Sequence, residues 1–129
     1  MKENAMKKTI STQNAPAAIG PYSQAVEWNG MIFSSGMIPV DPQTGEIPED
    51  VEAQARQAFT NLTNLLTAAG TSMDKVIKTT VFIKDMNDFA AINQIYQEFF
   101  TGDFPARSCV EVARLPKDVK IEMEVIAEK

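Results

Sequence analysis

One long amphipathic segment limits what this chain can fold into. Apolar residues recur at helical spacing from Val51 to Ala69, on a single stripe, and Gly70 ends the pattern. Asp50 precedes the stripe and belongs to the residue types that cap the first turn of a helix through a side-chain oxygen. A helix of this kind needs a partner for its apolar stripe, and the segments around it show the two-residue period of strands. The sequence therefore predicts a helix packed on a β-sheet.

Short strands are predicted before this helix. An edge strand at 8–11 and a loop at 14–21 lead to two apolar stretches, 24–28 and 31–34, which Asn29-Gly30 separates. This dipeptide is the strongest short signal of a two-residue hairpin turn. Ser35 and Gly36 end the second stretch, where they fit a plain strand end or a place at which a ligand meets a backbone amide donor.

A strand and a second helix are predicted after Gly70. Residues 76–84 alternate and are expected to form a central strand. The residues expected to face the core are Ile77, Thr79, Val81 and Ile83, and those expected on the other face are Val76, Lys78, Thr80, Phe82 and Lys84. The second helix is expected from Asn87 or Asp88 to Phe100, with an apolar stripe of Phe89, Ile92, Tyr96 and Phe99. Asn93 borders this stripe, where it fits a pocket wall or a solvated surface.

Chemistry-bearing residues lie in the last two predicted strands, 106–113 and 119–127. The pattern of the strand at 106–113 otherwise predicts burial. One of its faces, however, carries Arg107, Cys109, Glu111 and Ala113. The guanidinium group of Arg107 offers a planar fork of donors that matches a carboxylate, which predicts a small acidic ligand. The same pattern also fits a surface arginine beside an ordinary buried cysteine.

Glu122 in the last strand is a candidate partner for Arg107, and it also fits a solvated strand glutamate. If the last two strands formed a simple hairpin, Arg107 would oppose Val125 and Glu122 would point to the other face of the sheet. A bulge, a different strand pairing or a subunit boundary would each resolve this conflict. The sequence leaves all three open.

Composition excludes several kinds of function. The 129 residues carry a formal net charge of −5 and no histidine, which argues against nucleic-acid binding and removes histidine metal sites and Ser/His or Cys/His pairs. The sequence has one cysteine, no signal-peptide core, no membrane-spanning run and no cofactor motif. We therefore expect a cytoplasmic protein without metal or cofactor, formed by a single domain at 7–129 after a disordered extension at 1–6.

The order of predicted elements indicates an α+β fold in which both helices pack on one face of a mixed sheet. Phe82, Ile126 and Val76 would be exposed on the other face of a monomer, so we expect another subunit to cover them. A cleft between subunits of a homo-oligomer would suit a small-molecule site.

Four segments closely resemble the reactive intermediate deaminase family, also known as the YjgF or RidA family. They are IGPYSQ at 19–24, SSG at 34–36, NQIY at 93–96 and above all PARSCVEVARLPKDVKIEMEVIA at 105–127. The resemblance implies a chorismate-mutase-like fold and a homotrimer with three inter-subunit clefts. Archetypal members hydrolyse 2-aminoacrylate, 2-iminopropanoate and 2-iminobutanoate, released by pyridoxal-phosphate dehydratases, to 2-keto acids and ammonia.

The resemblance also implies roles for individual residues. Arg107 corresponds to the family arginine and would bind the substrate carboxylate, and Glu122 would activate water as a general base. The other cleft residues correspond to Tyr22, Ser35, Gly36, Asn93 and Cys109. Met37 departs from the glutamine of many members.

Two other functions stay open. Members of the family have been described as RNA-acting translation inhibitors, which the acidic composition and the missing histidine argue against. A non-catalytic regulator that binds keto acids or amino-acid metabolites would use Arg107 without needing Glu122.

Overall fold

A computed structural model of the protein describes residues 6–129, which form a six-stranded mixed sheet and two helices. The extension expected at 1–6 lies outside the described residues except for Met6. The elements are β1 (Lys8–Ile10), β2 (Ala25–Trp28), β3 (Met31–Ser34), α1 (Val51–Ala68), β4 (Val76–Ile83), α2 (Phe89–Phe99), β5 (Ala106–Glu111) and β6 (Ile121–Glu128). Neither helix in this range is long and apolar enough to cross a membrane.

The strand order in the sheet is β1-β2-β3-β6-β4-β5. Only β4 and β5 run parallel, and every other neighbouring pair is antiparallel. The expected hairpin joins β2 to β3: Trp28 pairs with Met31, and Asn29 and Gly30 adopt positive φ angles of 56° and 77°. As expected, β1 is an edge strand and β4 lies inside the sheet.

Both helices pack on one face of the sheet, so the predicted α+β class is confirmed. α1 begins after Asp50, whose Oδ1 accepts a hydrogen bond from the amide of Ala53 at 2.7 Å. Its apolar stripe lies in the core, where the ring of Phe59 meets the rings of Tyr96 and Phe99 from α2 edge-on. The core therefore joins the two helices to each other and to β6.

The facing predicted for the start of β4 is wrong. Val76 is 7% exposed and belongs to the core, whereas Ile77 is 49% exposed. The pairing with β6 shifts here, because Val76 pairs with Ala127 while Lys78 pairs with the preceding residue, Ile126. This β-bulge inserts one extra residue and reverses the alternation, which is regular again from Thr79 onward.

β5 differs from the prediction in its length and in its burial. It ends at Glu111 instead of 113 and forms an edge of the sheet, and only Cys109 is partly buried. An edge strand has a neighbour on one side only, so its alternation does not guarantee a buried face. Arg107 lies on the side of the sheet that carries α2.

The sheet face that points away from the helices carries several apolar side chains. Phe82 and Ile126 are partly buried in the single chain, so their expected exposure is only partial. The large side chains that are exposed there belong to β2, β3 and β5, namely Trp28, Phe33 and Val110. Coverage of this face by another subunit stays a prediction.

Candidate active site

Arg107 points from β5 toward α2, where three residues surround its guanidinium group. Asn93 Oδ1 accepts a hydrogen bond from Arg107 Nη1 at 2.8 Å. The central guanidinium carbon lies 4.7 Å from the ring centroid of Tyr96 and 5.3 Å from that of Phe89. The three helix residues are four and three positions apart, which is the spacing that places side chains on one helix face.

An open cavity of about 380 Å³ lies beside Arg107. Asn93, Tyr96, Gln97, Phe104 and Pro105 complete its lining, and Phe104 is 61% exposed. Within residues 6–129, no carboxylate forms an ion pair with Arg107. A guanidinium group has five N–H donors, so donors remain for a ligand after the bond to Asn93. The cavity can therefore receive a small carboxylate.

Cys109 follows Arg107 on the same face of β5 and packs partly against the core. Burial raises the pKa of its thiol above the ordinary value, and the nearby Arg107 opposes this only in part. A thiol with a raised pKa is mostly protonated at neutral pH and is a poor nucleophile. The environment of Cys109 therefore argues against a nucleophile, and its expected place in the cleft lining stays a prediction.

Tyr96 is almost fully buried under Arg107, at 4% exposure. Its hydroxyl group shares a hydrogen bond of 2.8 Å with Oγ1 of Thr79, which is buried in β4. Burial raises the pKa of Tyr96, while Thr79 and Arg107 act in the opposite direction. The phenol stays neutral at physiological pH, so it offers the guanidinium group an aromatic ring and no charge.

A second group of candidate residues surrounds the end of β3. The side chain of Glu122 lies against Gly36: a Cβ atom at this glycine would come within 2.7 Å of Glu122 Cδ and 2.9 Å of Glu122 Cγ. The backbones of Met37 and Met123 bond to each other here, which holds the chain after β3 against β6. Glycine is therefore the residue that leaves room for the carboxylate.

Ser35 and Tyr22 lie beside this glycine. The hydroxyl group of Ser35 donates to the carbonyl oxygen of Ser23 at 2.6 Å, and its amide donates to the carbonyl oxygen of Gln24 at 2.9 Å. Ser35 is thus not the amide donor that the sequence suggested, because this hydrogen is already used. Its hydroxyl oxygen can still accept a hydrogen bond. Tyr22 is 52% exposed and, with Ser35, lines an open cavity of about 670 Å³.

Glu122 is partly buried, and burial raises the pKa of its carboxyl group. Glu124 lies two residues further along the same face of β6 and raises this pKa again through like-charge repulsion. A carboxyl group whose pKa moves toward neutrality exchanges protons more readily at physiological pH.

The two groups lie on opposite faces of the sheet. Arg107 pairs with Thr79, which pairs with Val125, and this row faces the helices. Glu122 pairs with Phe82, an odd number of residues along β4, so it points to the other face. A direct pairing of Arg107 with Glu122 within one chain is therefore wrong. The last two strands are indeed not paired as a hairpin, because β4 separates β5 from β6, but this pairing still leaves Glu122 on the face opposite Arg107. A meeting of the two residues across a subunit boundary stays a prediction.

Sequence reasoning missed the surroundings of Arg107. The helical pattern places Phe89 and Tyr96 only on the apolar stripe of α2, and it gives no signal for Phe104. The spacing of both aromatic residues around Asn93 was the available signal. Residues three or four positions from a pocket residue lie on the same helix face, so they line the same pocket. Residues 6–129 contain no cluster of three or more histidine, cysteine or acidic residues that could hold a metal ion.

Comparisons with known proteins agree with this architecture. The crystal structure of the Escherichia coli YjgF gene product superimposes with a TM-score of 0.92 at 60% sequence identity, covering 95% of this chain and 98% of that one. The structure of E. coli TdcF with bound serine gives a TM-score of 0.91 at 56% identity, with coverage of 95% and 98%. This is the class of small α+β proteins with a six-stranded sheet and two helices.

The sequence matches are equally extensive. Residues 12–129 match the model of the family described as endoribonuclease L-PSP. The chain is 62% identical over 125 residues to the 2-iminobutanoate/2-iminopropanoate deaminase of E. coli strain K12, which covers 95% of this chain and 98% of that protein. The chain therefore belongs to the endoribonuclease L-PSP family, the family of the reactive intermediate deaminases.

Proposed function

We propose that this protein hydrolyses 2-imino acids and their enamine tautomers, such as 2-iminopropanoate and 2-iminobutanoate, to 2-keto acids and ammonia. The observation that carries the proposal is the 62% identity to a named 2-iminobutanoate/2-iminopropanoate deaminase across almost the whole chain. The geometry supports it, since Arg107 presents guanidinium donors to a cavity of metabolite size.

Arg107 binds the substrate carboxylate in this proposal. A guanidinium group can bind both carboxylate oxygens through two parallel hydrogen bonds, which fixes the direction of the adjacent imine carbon. Asn93 occupies one of the donors of Arg107 and limits the rotation of the group. Cys109 and Asn93 complete the wall on this side, with no covalent step at the thiol.

Glu122 acts on water. Water adds to the imine carbon while the Glu122 carboxylate takes its proton. Glu122 passes this proton to the nitrogen, which gives a neutral carbinolamine and restores the carboxylate. The carboxylate then takes the hydroxyl proton and transfers it to the amino group, so the carbon–nitrogen bond breaks and ammonia leaves as the keto group forms. Tyr22 and the hydroxyl oxygen of Ser35 bind the nitrogen or the water, and backbone near Gly36 steadies developing charge. The imine is already activated, so the reaction requires no cofactor.

A site that uses both residues needs two copies of the chain. Arg107 and Glu122 point away from opposite faces of one sheet, and an apolar outer face is available for association. We propose a homotrimer in which Arg107 of one subunit meets the Glu122 surface of the next, as the family resemblance implies. The cytoplasm stays the expected compartment.

An RNA-directed activity is the less favoured alternative, although the family description contains the word endoribonuclease. The net charge of −5 works against attraction to a phosphate backbone, and the sequence has no histidine for the usual acid–base cleavage of RNA. A metabolite-binding regulator would retain ligand binding and show no turnover. Glu122→Gln separates these cases, because it lowers turnover in an enzyme and leaves keto-acid binding in place.

The test is the release of keto acid when the purified protein is added to a serine or threonine dehydratase reaction. We expect the wild type to accelerate release and Arg107→Ala to lose the acceleration. Arg114→Ala is the matched control, because this arginine is exposed and pairs with Asp118 outside the cavity. No acceleration by the wild type would refute the proposal for these substrates.

A further inference from the structure

We infer that Tyr96 and Phe89 form an aromatic clamp that positions Arg107 and sets the preference of the site for a carboxylate. This inference rests on the proposed function, because it concerns how Arg107 binds the carboxylate of the imino acid. The two residues are positioning residues, since they contact the guanidinium group and leave its hydrogen-bond donors to the ligand.

Both rings of the clamp and a third residue of α2, Asn93, contact the same guanidinium group. The rings of Tyr96 and Phe89 lie 4.7 Å and 5.3 Å from its central carbon, both within the range of cation–π attraction. Asn93 lies between them along α2 and accepts the bond from Nη1 at 2.8 Å. An arginine on an exposed edge strand would otherwise sample many rotamers, so these contacts select an orientation before a ligand binds.

Tyr96 is itself held more firmly than a partly exposed aromatic side chain. The rings of Phe100 and Phe59 contact it, with centroids 4.5 Å and 5.9 Å away. Its hydroxyl group bonds to Thr79, the residue of β4 that pairs with Arg107 in the parallel register. The Tyr96 ring and Arg107 are therefore both held against the sheet at the position of Thr79.

The physical consequence concerns the charged part of the ligand. Aromatic rings attract the cation without neutralising it, whereas a carboxylate partner would occupy its donors and cancel its charge. A clamped arginine thus stays available to an anionic ligand at a low ordering cost. Loss of a ring should weaken binding of a carboxylate and should leave binding of a neutral analogue unchanged.

The experiment measures binding of 2-oxobutanoate, the keto acid produced from 2-iminobutanoate, and of its neutral methyl ester by calorimetry. We expect Tyr96→Leu to raise the Kd of the acid about five- to tenfold, as loss of a cation–π contact implies, and to leave that of the ester unchanged. Phe89→Leu should act in the same direction. Tyr96→Phe, which keeps the ring, should restore most of the acid affinity.

Phe99→Leu is the matched control, because this aromatic residue also lies in α2 and packs on Phe59, but within residues 6–129 the cation–π contacts of Arg107 are with Phe89 and Tyr96. Thermal unfolding of each variant reports the core packing separately. In the dehydratase assay, the clamp variants should show a raised KM with kcat close to that of the wild type. A structural defect would instead lower the fraction of active protein and affect acid and ester alike.

The outcomes distinguish the clamp from the proposed function. If the wild type binds the acid and turns over substrate while Tyr96→Leu and Phe89→Leu retain the acid-over-ester preference, the clamp is refuted and the deaminase proposal stands. If Tyr96→Leu fails to fold, Phe89→Leu still allows this test, because the Phe89 side chain is less buried than that of Tyr96. A wild type without binding or turnover would refute both.

Discussion

Two inactive variants should restore activity to each other when they assemble together. Arg107→Ala lacks the carboxylate anchor, and Glu122→Gln lacks the base. The two side chains project from opposite faces of one sheet. A site that contains both must therefore take them from different subunits. A mixed oligomer then contains some sites in which an intact arginine meets an intact glutamate.

The size of the recovery follows from random assembly. In an equal mixture, half of the subunits supply an intact Arg107, and half of the neighbours that they meet supply an intact Glu122. About a quarter of the sites in a closed ring of identical interfaces should therefore be functional. Keto-acid release should recover to ~25% of the wild-type rate per site, and it should fall as the mixture departs from equal proportions.

The assay requires subunits to exchange. Each variant is unfolded, mixed with the other in denaturant and refolded, and keto-acid release is then followed in the dehydratase-coupled reaction. Each variant refolded alone gives the background, and a mixture of Arg107→Ala with the double variant controls for refolding itself. A mixed sample that exchanges subunits and stays at background would show that both residues act from the same chain, and the reasoning from the two sheet faces would be refuted.

Three further outcomes are expected. Gly36→Ala should lower kcat at least about tenfold with little change in Tm, because the new Cβ atom displaces the flexible Glu122 side chain. An unchanged kcat would contradict the position assigned to the base. The acid limb of kcat against pH should lie above the ordinary range of a glutamate, because burial and Glu124 favour the protonated form of Glu122, while the bound substrate carboxylate offsets the charge of Arg107 from the next subunit. Lost activity then returns as pH rises through the raised pKa, and the coupled rate across pH measures this limb. Cys109→Ser should keep most of the activity, and the wild-type thiol should react slowly with iodoacetamide at neutral pH and faster as pH rises toward its raised pKa. Rapid alkylation at pH 7 would argue for a nucleophile.

Local signals in the sequence predicted most of the elements correctly. Asp50 sets the start of α1 because its carboxylate satisfies an amide of the first turn, and Asn29-Gly30 sets the β2–β3 turn because both residues accept positive φ. These effects act between residues close in the chain. The α+β class follows from them, because the stripes of both helices and the alternation of β6 fix which faces must be buried.

Residue types also indicated which groups are available for chemistry, and their roles stay predictions. Arg107 was identified from its donor geometry, and Glu122 from its place in the last strand and from the family resemblance. The parity of the strands placed them on opposite faces only for a hairpin of the last two strands, and the structure reaches the same placement through β4. The bulge that buries Val76 and exposes Ile77 was not predictable, because it depends on how β4 pairs with a strand almost fifty residues later in the chain.

The sequence by itself determined where helices and turns begin, which side chains share a face and which groups are available for chemistry. Only the tertiary structure decided that β4 separates β5 from β6, that the rings of α2 hold Arg107, and that Gly36 makes room for Glu122. The physical reason is range: caps, turns and alternation depend on neighbouring residues, whereas strand order and side-chain contacts depend on the packing of segments that are far apart in the chain.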